Sequence, residues 1–307
     1  MIIMNVKMKI TVTVLVVFLL GYFILFVYSP VPKTSSFELD FKKLRTLSSL
    51  VPGEKPKALN VLKIAKAVFP KTAVLAGSSF ADHGMVMTSY QLKYPDDSYL
   101  LIDTVHDKAH HKNAFQSDDY NEANYEIMQK AIIGAKQILF THEHEDHTRG
   151  LAQAPSVSDI TDKILLTHEQ ITSPELLASQ FKDTDLAQIK PLKYDQYHPL
   201  APGIVLLKAA GHTLGSQIIY INLSNGNEYL LVGDVVWSQE NIDTLNGRPA
   251  LISWLIISEN RTQTGNQIRA LHELKNREPE INILVSHDIA QHQKYINSGK
   301  LGDGFEL

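Results

Sequence analysis

The segment Thr141-His-Glu-His-Glu-Asp-His147 places three imidazoles and three carboxylates in seven residues. It follows Gln137 to Phe140, an apolar run that reads as a buried strand. In extended chain His142 and His144, two residues apart, point to the same side. Asp146 and His147 are adjacent where the chain turns, so they diverge from that pair. One short loop thereby offers two ligands to each of two ions. A His-x-His-x-Asp-His pattern arises by chance in about one such chain in a thousand, which disfavours the alternative of a solvated acidic loop. Neutral imidazole and carboxylate suit zinc, with iron or manganese as alternatives. The chain has 13 His and no Cys among 307 residues, which excludes thiolate zinc sites, iron–sulfur clusters, disulfides and cysteine nucleophiles.

Two-ligand sites need completing donors. His212 follows the strand Ile204 to Leu207 through Ala209-Ala210-Gly211, Asp234 follows Leu230-Leu231-Val232-Gly233, and His287 follows Ile283-Leu284-Val285-Ser286. All three stand at or just past strand ends, where sites on α/β scaffolds gather. Each alone is a weak signal, but with the first cluster they supply the missing donors. Two bound cations lower the pKa of a bridging water to give hydroxide near neutral pH, and they polarise a carbonyl or phosphoryl oxygen. The chain has no Gly-x-Ser-x-Gly elbow, and Gly211-His212-Thr213-Leu214-Gly215 lacks the Lys-Ser/Thr end of a phosphate loop.

In this order the set resembles the metallo-β-lactamase superfamily over roughly Thr88 to His292. The resemblance implies an αββα sandwich with metals at one edge. It implies that His142, His144 and His212 bind one ion, that Asp146, His147 and His287 bind the other, and that Asp234 bridges them. It implies two Zn2+, with Asp146 as the catalytic carboxylate that orients the water and passes a proton to the leaving group. Asp103, closing the strand Tyr99 to Ile102, resembles the family's early Asp that supports the metal loop from behind; a strand-end turn is the other reading. Gly150 matches the second glycine of the usual continuation, and Arg149 replaces the first. A bridging Asp is shared by glyoxalase II-like thioesterases, acyl-homoserine-lactone lactonases and phosphodiesterases of the RNase Z type. Trp237 stands where such lactonases tend to carry a substrate-holding Tyr. The implied function is hydrolysis of a small ester, lactone, thioester or amide; phosphodiester cleavage and a non-catalytic metal-containing binding module are the alternatives.

The elements that must position these residues begin at about residue 58. Ala58, Val61, Leu62, Ala65, Val68 and Phe69 recur at helical spacing and read as a short docking helix. Met87 to Leu92 and Tyr99 to Ile102 flank Pro95-Asp96-Asp97 and read as a hairpin. Tyr125 to Ala135, Ser173 to Phe181 and Gln263 to Arg277 read as helices. Ile164 to Leu166, Gln217 to Ile221 and Tyr229 to Val232 join the strands already named, giving one layered α/β hydrolase domain over 58–307. His106, His110 and His111 read as a solvated polar loop, with a lining of the site mouth as the alternative. Tyr194, Tyr197 and Trp237 are candidates for an apolar substrate wall, though buried aromatics are more often core.

Upstream, residues 1–9 read as a short tail, 10–28 as a transmembrane anchor and 29–57 as a tether with little regular structure. Ile10 to Pro32 is free of charge, long enough for a single span, and longer than the apolar part of a cleaved signal peptide, the rival reading. Lys7 and Lys9 before the span favour an extracytoplasmic domain, while Lys33, Lys42, Lys43 and Arg45 beyond it argue the other way. The expected partners are a small-molecule substrate and membrane lipid. A net charge of −4 without a dense Lys/Arg run gives no reason to expect nucleic acid.

Overall fold

The computed structural model describes residues 6–307, so 1–5 of the expected tail lie outside the described residues. The described strands, in chain order, are β1 (Ala58–Pro70), β2 (Asp82–Lys93), β3 (Tyr99–Ile102), β4 (Gln137–Leu139), β5 (Ile164–Leu165), β6 (Tyr197–Ala201), β7 (Ile204–Lys208), β8 (Gln217–Asn222), β9 (Glu228–Leu231), β10 (Asn282–Leu284) and β11 (Gly302–Asp303). They form a six-stranded sheet, β11-β1-β2-β3-β4-β5, and a five-stranded sheet, β10-β9-β8-β7-β6.

Side-chain alternation sets the layers. In β7, Ile204 and Leu206 join Leu59, Tyr90, Leu100 and Leu231 between the two sheets. Val205 and Leu207 face the other way, onto Ile268, Leu271 and Leu274 of the helix Arg261–Arg277. On the far side of the first sheet, Met128, Ala131 and Ile132 of the helix Glu122–Gly134 pack against Leu101 and Ile138. The result is the expected αββα sandwich, with one apolar helix in front of it. The hairpin is also present, with Tyr90 paired to Ile102 and Lys93 to Tyr99.

Three readings change. Ala58 to Phe69 is a strand, not a helix. Its pairing runs Lys63 to Thr88 and then Ala65 to Met87, leaving Ile64 without a partner. That bulge shifts the alternation by one residue, and a phase slip in a period of two mimics helical gaps of three and four. The segment read as an irregular tether contains the helix Phe41–Leu47, capped by Asp40, which accepts from Lys43 N at 2.9 Å. Phe41 and Leu44 are buried against the second sheet, Phe41 edge-on to Tyr220. Ser173 to Phe181 winds only as a 3₁₀ stretch, Pro174–Ser179. At the amino end the helix Val6–Tyr22 continues through a wider-wound turn, Phe23–Val27. Within these 22 residues an 18-residue stretch has a mean hydropathy of 2.8, and the helix is long and apolar enough to cross a membrane by length and composition. At helical rise they cover about 33 Å.

Candidate metal centre

Strand ends bring the chemistry together. Beyond β4 the chain stays extended through His142 and His144, then enters the helix Glu145–Ala152, whose first turn carries Asp146 and His147. Thr141 anchors this turn: its N and Oγ1 donate to the Asp103 carboxylate at 2.7 and 2.8 Å. Asp103, just past β3, holds φ +61°, a conformation that short carboxylates tolerate better than most side chains. The same carboxylate lies 2.8 Å from His147 Nδ1, which leaves Nε2 to face forward. Gly150 packs so closely on the backbone at Val105 that a Cβ there would collide with the Val105 carbonyl.

The seven donors named from the sequence converge. His144 Nδ1 lies 3.2 Å from His142 Nε2 and 3.0 Å from His212 Nε2. A tetrahedral ion with arms of about 2.0–2.1 Å sets its ligands about 3.3 Å apart, so this trio has the required spread. A second group joins Asp146, His147 and His287, with Asp146 Oδ2 3.6 Å from His147 Nε2 and 3.5 Å from His287 Nε2. Asp234 lies between the groups. Its Oδ1 is 3.5 Å from His147 Nε2, and its Oδ2 is 3.0 Å from His287 Nε2 and 3.7 Å from His212 Nε2. His287 is oriented by the Val86 carbonyl, 2.9 Å from its Nδ1.

Charge and burial fit a cation here. His147 Nε2 and Asp234 Oδ1 are buried, face one another and have no hydrogen-bond partner. Such groups are costly to leave unmatched, and a cation between them removes that cost. Burial holds His142 well below its ordinary pKa and lowers His212 to about 4, so both present lone pairs. For Asp234, burial favours the neutral acid, but His287, His147 and His142 outweigh it and keep the carboxylate ionised. Burial likewise opposes charge on His147, yet Asp146, Asp103 and Asp234 raise it to about 10. A bound cation would displace that proton, as metal binding does at any protonated ligand.

Two acidic residues complete the frame. Glu143, between the first two histidines, turns away from them and accepts from Thr213 Oγ1 at 2.8 Å and Gly215 N at 3.2 Å. It thereby ties the first loop to the His212 loop. The alternation of the motif shows that Glu143 must point away, but not to what. Glu259 lies 3.6 Å from His212 Nδ1, paired with the buried Arg248 and accepting from Ser253. Neither was named from the sequence, although Glu259 follows Trp254 to Ile257 and Ser258 much as His287 follows Ile283 to Val285 and Ser286.

Other candidates sort differently. Trp237 donates its indole N–H to Asp234 Oδ2 at 2.7 Å, and it also lines the pocket. Tyr194 and Tyr197 are elsewhere: Tyr194 bonds Gln217, and Tyr197 reaches Glu38 and Asp40. His106 and His111 are buried, stacked with Phe115 on and beside the helix Lys108–Phe115, so the solvated-loop reading is corrected. Arg149 turns away to Asp107 at 2.9 Å and to the Ala178 carbonyl. The donors open onto a cavity of about 370 Å3 walled by Phe69, Met85, Phe115, Trp237, Ile252 and Ile257.

The family model of the metallo-beta-lactamase superfamily matches residues 88–284. Among solved structures, a quorum-quenching N-acyl homoserine lactone lactonase is 18% identical over 79% of this chain and 97% of its own, with a TM-score of 0.60. An N-acyl homoserine lactone hydrolase, with the product N-hexanoyl-L-homoserine bound at its catalytic metal centre, is 17% identical over 78% and 96%, TM-score 0.59. A probable metal-dependent hydrolase from Staphylococcus aureus is 13% identical over 76% and 91%, TM-score 0.56. No curated protein matches the chain in sequence. With a model match over more than half its length and the family's donor types assembled at one sheet edge, the chain belongs to the metallo-beta-lactamase superfamily, as a metal-dependent hydrolase.

Proposed function

We propose that this protein is a membrane-tethered dinuclear zinc hydrolase that cleaves a small uncharged acyl compound: an ester, lactone, thioester or amide. The observation that carries the reading is the pairing of seven convergent donors with an apolar pocket whose described lining contains no Lys or Arg. His142, His144 and His212 would hold one ion, Asp146, His147 and His287 the other, with Asp234 shared. Bound zinc supplies an activated water near neutral pH and polarises the substrate oxygen. Asp103 and Glu259 hold His147 and His212 in the required orientation. Asp146, partly open to the pocket, takes the proton lost by the attacking water and delivers it to the leaving atom. Phe69, Phe115 and Trp237 exclude water and receive the acyl part.

A phosphodiester keeps its negative charge throughout, and Arg149, the nearest cation to the metal loop in sequence, is committed to Asp107. Purified protein loaded with zinc should therefore hydrolyse acyl lactones or aryl esters at least about tenfold faster than bis-aryl phosphodiesters, or roughly 1.4 kcal/mol of barrier. Equal or greater phosphodiesterase activity would reverse the choice of bond and leave the metal assignment standing. The apolar helix Val6–Val27, whose lysines Lys7 and Lys9 are confined to its first turn, supports a single span with the catalytic domain on the extracytoplasmic side. Full-length protein should resist extraction by high salt and alkali; a mature amino terminus near residue 30 would instead identify a cleaved signal.

A further inference from the structure

The apolar helix and the pocket share a boundary. The helix Ala250–Leu255 packs against Phe23–Val27, the end of the proposed span. A turn of the β1–β2 connection meets the same end: Gly77 N donates to the Phe26 carbonyl at 2.8 Å, and Gly77, at φ +70°, lies against Val27. Arg261 donates to the Tyr28 carbonyl at 2.6 Å, with its guanidinium 5.2 Å over the Trp254 ring. These two segments also form the rim of the pocket, through Ala73 on one side, next to Phe69 near the end of β1, and Ile252, Ile256 and Ile257 on the other.

The outward side chains of this rim are apolar and open. Trp254 is 52% exposed, Leu255 70%, Ile256 68% and Phe80 63%. Large exposed apolar side chains gathered around a pocket mark an interaction surface. Their position beside the span names the occupant. A bilayer holding Val6–Val27 has its surface at the level of Tyr28, and therefore at the level of Arg261 and Trp254. An indole and a guanidinium are the groups that settle among lipid headgroups, with apolar neighbours beneath them.

We propose that this rim seats in the lipid leaflet at the end of the span, so that the pocket opens onto the bilayer and takes a membrane-partitioned, long-chain acyl ester or lactone. The substrate class rests on the hydrolase reading; the seating of the rim does not.

The chain has two tryptophans and no cysteine, which makes the test direct. Full-length Trp237→Phe protein in phosphatidylcholine vesicles retains Trp254 as its only indole. Dibrominated acyl chains should quench its fluorescence by more than half, and an unquenched Trp254 overturns the proposal. A Leu255→Cys variant carrying an environment-sensitive dye gives an independent reading: shielding from aqueous iodide is expected, and full access overturns it. For the substrate, a Trp254→Ser/Leu255→Ser variant should lose about tenfold in kcat/KM on a long-chain aryl ester held in vesicles, while a dissolved aryl acetate is turned over unchanged. Equal loss on both substrates overturns the entry route. Hydrolysis of neither by zinc-loaded wild-type protein removes the hydrolase reading and the substrate class together, and the quenching still decides the rim.

Discussion

At the floor of the pocket the donors are polar, five of the seven are buried, and several are held by a second residue; at its rim nearly every side chain is apolar and several stand free. Asp103 fixes His147, the Val86 carbonyl fixes His287, and Asp234 receives the Trp237 N–H. Ile256 and Leu255, by contrast, touch mainly solvent on their outer side. The floor sits where strands from both sheets end, so the sandwich itself sets its geometry. The rim is made from the connections at 71–81 and 250–257, which are free to differ without disturbing that geometry. On the proposed reading, chemistry falls to the scaffold and substrate choice to the connections.

That division is broken most directly at the floor. His142→Ala and His287→Ala each remove one donor from a different group. Each should lower zinc below about two ions per chain and reduce hydrolysis on the order of a thousandfold, about 4 kcal/mol. Chelation should do the same to the wild type and zinc should restore it. Full metal retention in both variants, measured by elemental analysis, would remove the ligand assignment.

How much of this was legible differs along the same line. The first cluster lies in seven consecutive residues, so its chemistry shows before any fold is known. His212, Asp234 and His287 show through a simpler rule, a polar residue directly after an apolar run. Asp103 shows for the same reason. Glu259 follows the apolar run Trp254 to Ile257, but that run is a helix and its end rather than a strand, and Arg248 follows no run. Glu259 meets His212, with Arg248 behind it, only because the helix Ala250–Leu255 folds back over the site. The rim was illegible because Trp254, Leu255 and Ile256 look like any short apolar stretch until the end of the amino-terminal apolar helix is seen beside them. In the fold, β1 misled through one extra residue at Ile64, whereas strands without a bulge, such as β7 and β8, read correctly. The helix Phe41–Leu47 was hidden among Pro, Ser and Lys, its packing resting on two residues, Phe41 and Leu44.

Two histidines five residues apart sharpen the comparison between floor and scaffold. His287 faces the donors, while His292, on the helix Ile289–Asn297, is buried behind them. Its Nε2 accepts from the Tyr90 hydroxyl at 2.7 Å when its Nδ1–H donates to the Asp288 carbonyl at 2.7 Å, a pattern that requires the neutral ring. Burial lowers its pKa to about 4. The unfolded chain protonates His292 below about 6.5, so between there and 4 the unfolded state holds the extra proton. This contribution to stability is complete above pH 6.5 and is lost as pH falls towards 4. In His292→Gln, the slope of unfolding free energy against pH in that window should be smaller by about 1.4 kcal/mol per unit. Denaturant titrations of both proteins in chelator measure the difference, and identical slopes would mean that His292 is charged in the fold.

The finest distinction falls on Trp237, which belongs to both regions. Its N–H holds Asp234, and its ring walls the pocket with the Arg248 guanidinium 4.7 Å from the ring centre. Trp237→Phe deletes the first role and keeps most of the second. Trp237→Ala deletes both. An acyl chain buried in the pocket gains about 0.8 kcal/mol per methylene, which appears as a rise of about fourfold in kcat/KM for each added carbon until the pocket is full. At saturating zinc, Trp237→Phe should lower kcat by several-fold for all chain lengths alike and leave that slope intact, since a lost hydrogen bond of about 1 kcal/mol at Asp234 does not depend on the acyl tail. Trp237→Ala should in addition flatten the slope over the carbons that lie against the ring. The measurement is kcat/KM along a series of aryl esters from two to ten carbons. A slope that survives in Trp237→Ala would place the acyl chain against Phe69, Ile252 and Ile257 instead, and would make the rim alone responsible for chain-length preference.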